Sequence, residues 1–454
     1  MFLKYNPSEK DLWFLPLGGT GEIGMNVNLY GHSSRWLMID CGVTFNVPLD
    51  RELDETPGGL RHNMVSADLS FIANRRDALC GLVLTHAHED HLGAVVSQWE
   101  QLQCPIYTTA FTAEVLRRKA YRADLPFELP IVIIEIGSVL DIGPFTLEWI
   151  PTTHSIPEAN ALLLTTPVAR VLHTGDWKID YNPVVGKSFN KQLFKNLASK
   201  NITAMVCDST NATRKGHSVS EKDCELGLGA IISKSKGRVV ITCFASNVAR
   251  LITLAKIAQA TNRYMCLLGP ALENMVSIAR ATGYWPEDFK ITPRRHIGYL
   301  PKHEVMIVAT GSQGEPRAGL YKLALNTHKD CDLEKGDTVI FSSIVIPGNE
   351  KPIERLTNLL KEREIEVVES ANSEHVIHAS GHPNEEDLRL LFGWVKPKCI
   401  VPVHGEPKHL AANAQIAKQL GISHQLVGLN GDLYSLAQQF SIKRKAISAP
   451  RIAL

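Results

Sequence analysis

The sequence contains no C-x-x-C pair, no apolar run approaching the roughly 18 to 20 residues that span a bilayer, and almost no net charge. Each absence excludes a class. Nine cysteines are scattered singly, mostly inside apolar stretches, which argues against a disulfide framework or a zinc ribbon and for reduced, buried thiols. Lysine and arginine number 48 against 47 acidic residues, a formal charge of +1, so there is no global basic field of the kind that marks a nucleic-acid binder. A nucleic-acid substrate would need a local groove instead. Aromatic residues make up 7%, too few for stacking platforms to be argued from content. The opening MFLKYNPSEK lacks the charged-then-apolar layout of a secretory leader, so the expected compartment is the cytoplasm.

What the chain does have is core material and histidine. At 454 residues and 44% hydrophobic content, two or three domains are expected. From residue 13 to about 210 the text is β-rich: short apolar runs such as WFLPL, NVNLY, WLMID, GLVLT, TLEWI, ALLLT and AMVCD alternate with turn residues. Between 213 and 366 helices and strands alternate, the pattern of α/β layering. From 367 short strands (HVIHAS, CIVPVHG, SHQLVGL) are interleaved with the helices EEDLRLLFGWV and EPKHLAANAQIAKQL. No repeat or linker-like tract divides these parts, so they are expected to pack together. Seventeen histidines outnumber the cysteines, so a metal site is expected to use imidazole and carboxylate.

The segment LTHAHEDHLGA concentrates that chemistry. GLVLT reads as a buried strand, and His86, His88, Asp90 and His91 follow at its edge. Alternate side chains of an extended segment share a face, so His86 and His88 can reach one ion together. Asp90 and His91 lie on the turn into a helix, where they can address a second ion. Zinc or a harder ion such as manganese would accept these ligands. His154 and Asp176 each follow an apolar strand, where a turn-capping residue is the ordinary reading, and His173 could compete for the same role. Asp40, Asp208 and His404 repeat the placement, however, and repetition at strand ends is how one rim of a sheet collects a site.

The ordered set Asp40, His86-x-His88-x-Asp90-His91, His154 and Asp176 resembles the signature of the metallo-β-lactamase superfamily. Asp208 in DST, His378 in HASGH and His404 in PVHGE resemble the three motifs of its beta-CASP nucleic-acid-processing branch. GGTGEIGMN, THAHEDHLGA, HTGDWK, DSTNA, FASN, GSQGEP, IPGNE and HASGH are similar to the bacterial ribonuclease J family over nearly the whole chain. The resemblance implies an α/β (α+β) fold, a metallo-β-lactamase four-layer αββα sandwich with an inserted α/β beta-CASP domain. The expected division is 1–212 and 367–454 for the sandwich and 213–366 for the insertion.

By the same resemblance, His86, His88 and His154 hold one metal, Asp90, His91 and His404 a second, and Asp176 bridges them, with Asp40 behind the ligands to orient them. Two Zn2+ per subunit are implied, with Mn2+ or Mg2+ as substitutes. Adjacent ions suit phosphodiester hydrolysis, because they activate water near neutral pH and neutralise the charge that builds under in-line attack. Asp90, Asp208 and His378 are the implied catalytic residues, with Asp208 and His378 as a proton-transfer pair. Ser246, Asn247, Ser380, Gly381 and His382 are implied to hold a phosphate, the last three just ahead of a helix N-terminus.

The resemblance implies a metal-dependent ribonuclease acting as a 5′-to-3′ exonuclease, an endonuclease, or both, on single-stranded RNA with a 5′-monophosphate. A DNA nuclease, another hydrolase of the fold, or an inactive scaffold in an RNA-processing complex are the competing expectations. Members of the family commonly continue into a C-terminal domain that supports dimerisation, so with the sequence ending at Leu454 a homodimer is expected to be weakened.

Gly19-x-Gly21-x-x-Gly24 matches a dinucleotide fingerprint, but MNVNLYG after it alternates like a strand where the fingerprint needs a helix. It reads instead as a glycine-rich hairpin near the metals. The basic clusters Arg117, Arg118, Lys119 and Arg122; Arg294 and Arg295; and Lys443, Arg444 and Lys445 read as solvated faces.

Overall fold

In the strand Asn160–Thr165, Leu162 and Leu164 enter one core while Ala161 and Leu163 enter another. Successive side chains of a strand point to opposite faces, so a strand apolar on both must be covered on both. The computed structural model, which describes residues 5–45, 64–346 and 348–454, meets that demand with layers.

An eight-stranded sheet runs in the order Ser441–Lys443, Leu433–Ser435, Trp13–Gly18, Val27–His32, Arg35–Ile39, Leu79–Val83, Ile106–Thr108, Ile131–Ile133. A seven-stranded sheet runs His424–Gln425, Cys399–Val403, Ala204–Asp208, Arg170–His173, Asn160–Thr165, Phe145–Pro151, Val139–Ile142. Phe14, Tyr30, Leu37 and Val83 from the first meet Phe145, Leu147, Trp149 and Val206 from the second in the middle of a sandwich. The outer face of the first sheet packs Val95, Leu102, Phe111 and Leu116 from two helices. Helices Lys191–Leu197, Glu385–Val395 and Pro407–Gln419 cover the second. This is the four-layer αββα sandwich of a metallo-β-lactamase domain.

The insertion is a five-stranded parallel sheet, Tyr264–Leu268, Val305–Ala309, Val239–Thr242, Thr338–Phe341, Glu366–Val368, with helices on both faces. One of its faces joins the same apolar cluster as the outer face of the eight-stranded sheet. Polar contacts cross the junction as well: Arg118 donates to the Ser277 hydroxyl (2.8 Å) and the Tyr284 hydroxyl to Glu158 (2.9 Å).

Strand direction gathers the site. Arg170–His173, Ala204–Asp208 and Cys399–Val403 are parallel neighbours, so their C-terminal ends share one rim. Phe145–Pro151 is two antiparallel pairings away from Arg170–His173 and therefore ends there too. Asp176, Asp208, His404 and His154 all lie at or just beyond those ends.

Three expectations change. The stretch that reads as β-rich also holds the helix Ala110–Arg122, whose buried face is Phe111, Thr112, Ala113, Val115 and Leu116. HVIHAS forms no strand; residues 375–380 are irregular, and side chains rather than a neighbouring strand satisfy the Ile377 carbonyl at their centre. SHQLVGL contributes only the strand His424–Gln425. The residues after Gly19–Gly24 form Val27–His32, antiparallel to Trp13–Gly18, and Pro347 of IPGNE lies outside the described residues, as do the first four residues of the opening segment. No helix among the described residues is long and apolar enough to cross a membrane.

The metal-motif backbone is clamped against residues 41–43: Cys41 N–H donates to the His91 carbonyl (2.7 Å) and Val43 N–H to that of Glu89 (3.0 Å). A side chain at Gly42 would place its Cβ 1.8 Å from the Asp90 carbonyl oxygen. Gly42→Ala is therefore expected to destabilise the protein by about 1–3 kcal/mol and to lower its metal content, read by chemical denaturation and elemental analysis. A variant with wild-type stability and full metal would remove this constraint.

Candidate metal centre

Three imidazoles meet at one point: His88 Nδ1 lies 3.1 Å from His86 Nε2 and 2.9 Å from His154 Nε2. The ring nitrogens of His86 and His154 that face away from this point are committed. His154 Nδ1 pairs with the Gly381 carbonyl at 2.6 Å, so that nitrogen carries the hydrogen and Nε2 keeps its lone pair. His86 Nδ1 pairs with the Thr85 hydroxyl (3.0 Å), which itself donates to Asp40 (2.9 Å), so His86 Nε2 is bare as well. Two lone pairs thus face a third nitrogen that can supply one hydrogen. Only a cation satisfies such a donor set, and the residues fit a divalent metal.

Asp176 belongs to more than one such set. Its Oδ2 stands 3.8 Å from both His86 Nε2 and His154 Nε2, and 3.2 Å from His91 Nε2. Its Oδ1 accepts from His404 Nδ1 at 2.8 Å. His404 Nε2 lies 3.3 Å from Asp90 Oδ2, and Asp90 Oδ2 lies 3.6 Å from His91 Nε2. Candidate ligand atoms of His86, His88, His154 and Asp176 form one cluster, and those of Asp90, His91, Asp176 and His404 another; Asp176 and His404 also come close enough to Asp208 and His382 to make a third group. His86, His91, Asp176 and His404 are buried, while His88 and Asp90 are partly exposed and mark the mouth.

Asp40 stands behind this layer. One oxygen accepts from the Thr85 N–H (2.8 Å), the other from His91 Nδ1 (2.7 Å) and the Thr85 hydroxyl, so a single carboxylate sets the tautomers of His91 and, through Thr85, of His86. Asp40 and His404 both have positive φ, 63° and 52°, in the sparsely populated left-handed region, as their strands turn sharply into the site. Thr85 does not stand out in the sequence, although its place beside His86 is a signal. His173 faces the Tyr30 hydroxyl (3.1 Å) and joins neither cluster.

The expected pair of Asp208 with His378 is not formed. Asp208 Oδ2 lies 2.8 Å from Nδ1 of His382, which is 3.8 Å from Asp176 Oδ2. Because residues 375–382 are irregular, strand alternation does not govern which histidine faces the acid. His378 points toward the insertion, with Nδ1 3.4 Å from the Ser342 carbonyl and Nε2 buried without a partner. Ser380 accepts from Asn211 Nδ2 (2.9 Å), another residue that pattern alone does not single out, although it lies in DSTNA. A Cβ on Gly381 would fall 2.4 Å from the His154 ring, so only glycine lets this turn approach the ligand. Asn247 Oδ1 caps its own helix by accepting from Arg250 N–H (2.9 Å), which leaves its Nδ2 for a ligand; Ser246 beside it is partly exposed. Lys119 pairs with Glu89 (2.6 Å), so part of that basic cluster is spoken for at the mouth.

The two clusters differ in charge. Burial pushes His86 and His154 well below the ordinary imidazole range and His88 down to about 4. Burial also opposes charge on His91 and His404, but Asp176 outweighs it, raising His91 well above its usual value and His404 to about 10. Asp176 is held low despite burial, mainly by His404 and His91. Burial opposes charge on His382 too, and Asp208 with Asp176 raises it; burial and then Arg250 drive His378 down to about 3.

A raised pKa means the imidazole is still protonated at neutral pH and must lose that proton to ligate. Metal added to the metal-free protein should therefore release protons from His91 and His404 but not from His86, His88 and His154. Acidification from pH 8 to 6 should weaken the former cluster first. Calorimetric titration in two buffers of different protonation enthalpy reads the count; equal release from both clusters would contradict this charge assignment.

Family models match along the chain: the metallo-beta-lactamase superfamily over residues 21–183, the ribonuclease J beta-CASP domain over 236–360, and a Zn-dependent metallo-hydrolase RNA specificity domain over 370–427. Ribonuclease J of Sinorhizobium meliloti is 42% identical over 433 residues, covering 94% of this chain and 75% of the relative. Ribonuclease J of Helicobacter pylori is 31% identical over 427 residues, covering 94% of this chain, which spans 60% of that relative's length. A crystal structure of a protein of unknown function from Enterococcus faecalis has the same fold, with a TM-score of 0.63 at 17% identity over 94% of this chain and 100% of that one. The fold implies divalent metal binding, and with these matches the chain belongs to the ribonuclease J family, metal-dependent ribonucleases built on a metallo-β-lactamase domain with an inserted beta-CASP domain.

Proposed function

We propose that this chain hydrolyses phosphodiesters of single-stranded RNA from a 5′-monophosphorylated end in the 5′-to-3′ direction, with internal cleavage at the same centre. The observation that carries the reading is the Asp208–His382 pair standing beside Asp176, which adds a proton donor to a metal cluster. Two zinc ions, for which manganese or magnesium can substitute, would be held by His86, His88 and His154 on one side and Asp90, His91 and His404 on the other, with Asp176 common to both. When bound, they supply Lewis acidity that activates water and offsets phosphate charge.

The protein's own groups do the rest. His382, whose Nδ1 pairs with Asp208, holds a proton more tightly than a free imidazole and can give one to the leaving 3′-oxygen. Asp90, partly exposed at the mouth and facing His404, can accept a hydrogen bond from an entering water and so orient it. His378 is assigned to substrate binding in place of proton transfer. With Nδ1 facing the Ser342 carbonyl, its buried, unpartnered Nε2 is a bare nitrogen that donates to a 5′-phosphate only once protonated, which an arriving anion favours. The free Nδ2 of Asn247, Ser246 and the Ser380–Gly381 turn would complete the pocket. Of the nearby cations, Arg250 is paired with Glu221 and Lys178 with Asp180, which leaves the charge of Arg214.

On RNA bearing a 5′-triphosphate, 5′-monophosphate or 5′-hydroxyl, compared with matched DNA, the monophosphorylated RNA should be degraded fastest and DNA left intact, with activity lost in His88→Ala. If metal-loaded wild-type protein left every RNA intact, the substrate class would be abandoned.

The two histidines of HASGH separate kinetically. His382→Asn should lower kcat by about 10²–10⁴-fold, whereas His378→Asn should chiefly raise KM and blunt the preference for a 5′-monophosphate. The reverse pattern would restore His378 to the proton-transfer role.

A further inference from the structure

Residues 375–382 carry His378, Ser380 and His382 through an irregular stretch, so no strand ladder or helix fixes their path. The sandwich holds the far end of the stretch. His154 binds the Gly381 carbonyl (2.6 Å), Asn211 binds the Ser380 hydroxyl (2.9 Å), and Asp208 binds His382 (2.8 Å). The near end is held by the insertion through one fully buried guanidinium.

Arg250, on the helix Val248–Ala260, turns its Nε and Nη2 to Glu221, at 2.6 and 3.2 Å. That fork satisfies the ion pair. Its remaining nitrogen, Nη1, is not needed for Glu221 and reaches across to other segments: the Ser342 carbonyl (3.0 Å), the Ser342 hydroxyl, and the Ile377 carbonyl (3.3 Å). The Ser342 hydroxyl donates to the same Ile377 carbonyl at 2.7 Å. Ile377 is buried, so its carbonyl has these donors in place of water. Ser342 directly follows the strand Thr338–Phe341 and offers its carbonyl to His378. A buried guanidinium must find acceptors for its remaining N–H groups, and here they come from the segments that flank His378 rather than from its own domain's helices. This one commits its third nitrogen to the residue before His378.

We propose that Arg250 is a positioning residue of the nuclease site: with Ser342 it pins the Ile377 carbonyl and so sets where His378 and His382 stand against the substrate and Asp208. The seat of the insertion then governs the geometry of the reaction, although every candidate metal ligand lies outside it. The inference rests on the ribonuclease reading above.

Two variants test it in the full-length, metal-loaded chain. Arg250→Lys keeps a cation for Glu221 but cannot make the fork and the third contact together; Ser342→Ala removes a single hydroxyl. Both should fold and retain metal. Arg250→Lys should lower kcat about ten- to a hundredfold with KM changed far less, as small displacements of reacting groups do. Ser342→Ala should lower it in the same direction by a smaller factor. Hydrogen exchange in a peptide covering 376–384 should accelerate in both.

Unchanged kcat and unchanged exchange in an active background would overturn the proposal. So would a loss of activity that tracks metal content or unfolding in both variants, since that is what a purely structural ion pair predicts. If the wild type itself cleaves no RNA, the ribonuclease reading fails separately, and exchange over 376–384 still decides whether Arg250 holds the segment.

Discussion

Asp176 is a buried carboxylate with five histidine side chains within 4 Å, and most of the architecture serves to make that arrangement tolerable. An ionised carboxylate away from water is costly unless it is paired, and a set of imidazoles with converging lone pairs is equally unsatisfied. Each defect answers the other. His91 and His404 take charge from Asp176, while His86, His88 and His154 stay neutral and present lone pairs. The polypeptide alone therefore stores an imbalance that a divalent cation relieves, which is why the ligands need a rigid rim. Strands from the middle of a seven-stranded sheet supply it, and Asp40 with Thr85 fixes the orientation of two rings from behind.

The residues of this centre that lie close together in the chain, or at the ends of apolar strands, are legible in the sequence itself. Four potential ligands within six residues need no tertiary information to be noticed. The strand-end positions of His154, Asp176, Asp208 and His404 can be grouped because parallel neighbouring strands deliver their C-terminal residues to one edge. The layering is legible for the same reason, since strands such as Asn160–Thr165 are apolar on both faces.

What is not legible depends on chain path where no periodicity operates. HASGH contains two histidines four residues apart. Which of them meets Asp208 is decided by hydrogen bonds to Ile377, Ser380, Gly381 and His382 from residues 35 to 227 positions away. HVIHAS looks like a strand because it is apolar and β-branched, yet the Ile377 carbonyl is taken by Arg250 and Ser342. The helix Ala110–Arg122 is hard to see because its exposed face carries a basic cluster, while its apolar face shows only in the spacing of Phe111, Val115 and Leu116. Tertiary hydrogen bonds and side-chain competition override local pattern in each case.

The division of labour between the two parts of the chain follows from where these contacts fall. The sandwich alone brings every candidate metal ligand together, so its chemistry in isolation is that of a general metal-dependent hydrolase. Residues 375–382 exist as a pocket only because the chain re-enters the sandwich from the insertion and is held at that crossing by Glu221, Arg250 and Ser342. In the proposed reading, phosphate recognition and the leaving-group proton both sit on this crossing. A substrate too small to engage it would meet the metals and His382 but not His378. Preference for a long phosphodiester chain then has a physical origin in the crossing itself, and it arises without the global positive charge whose absence from the sequence argued against a nucleic-acid binder.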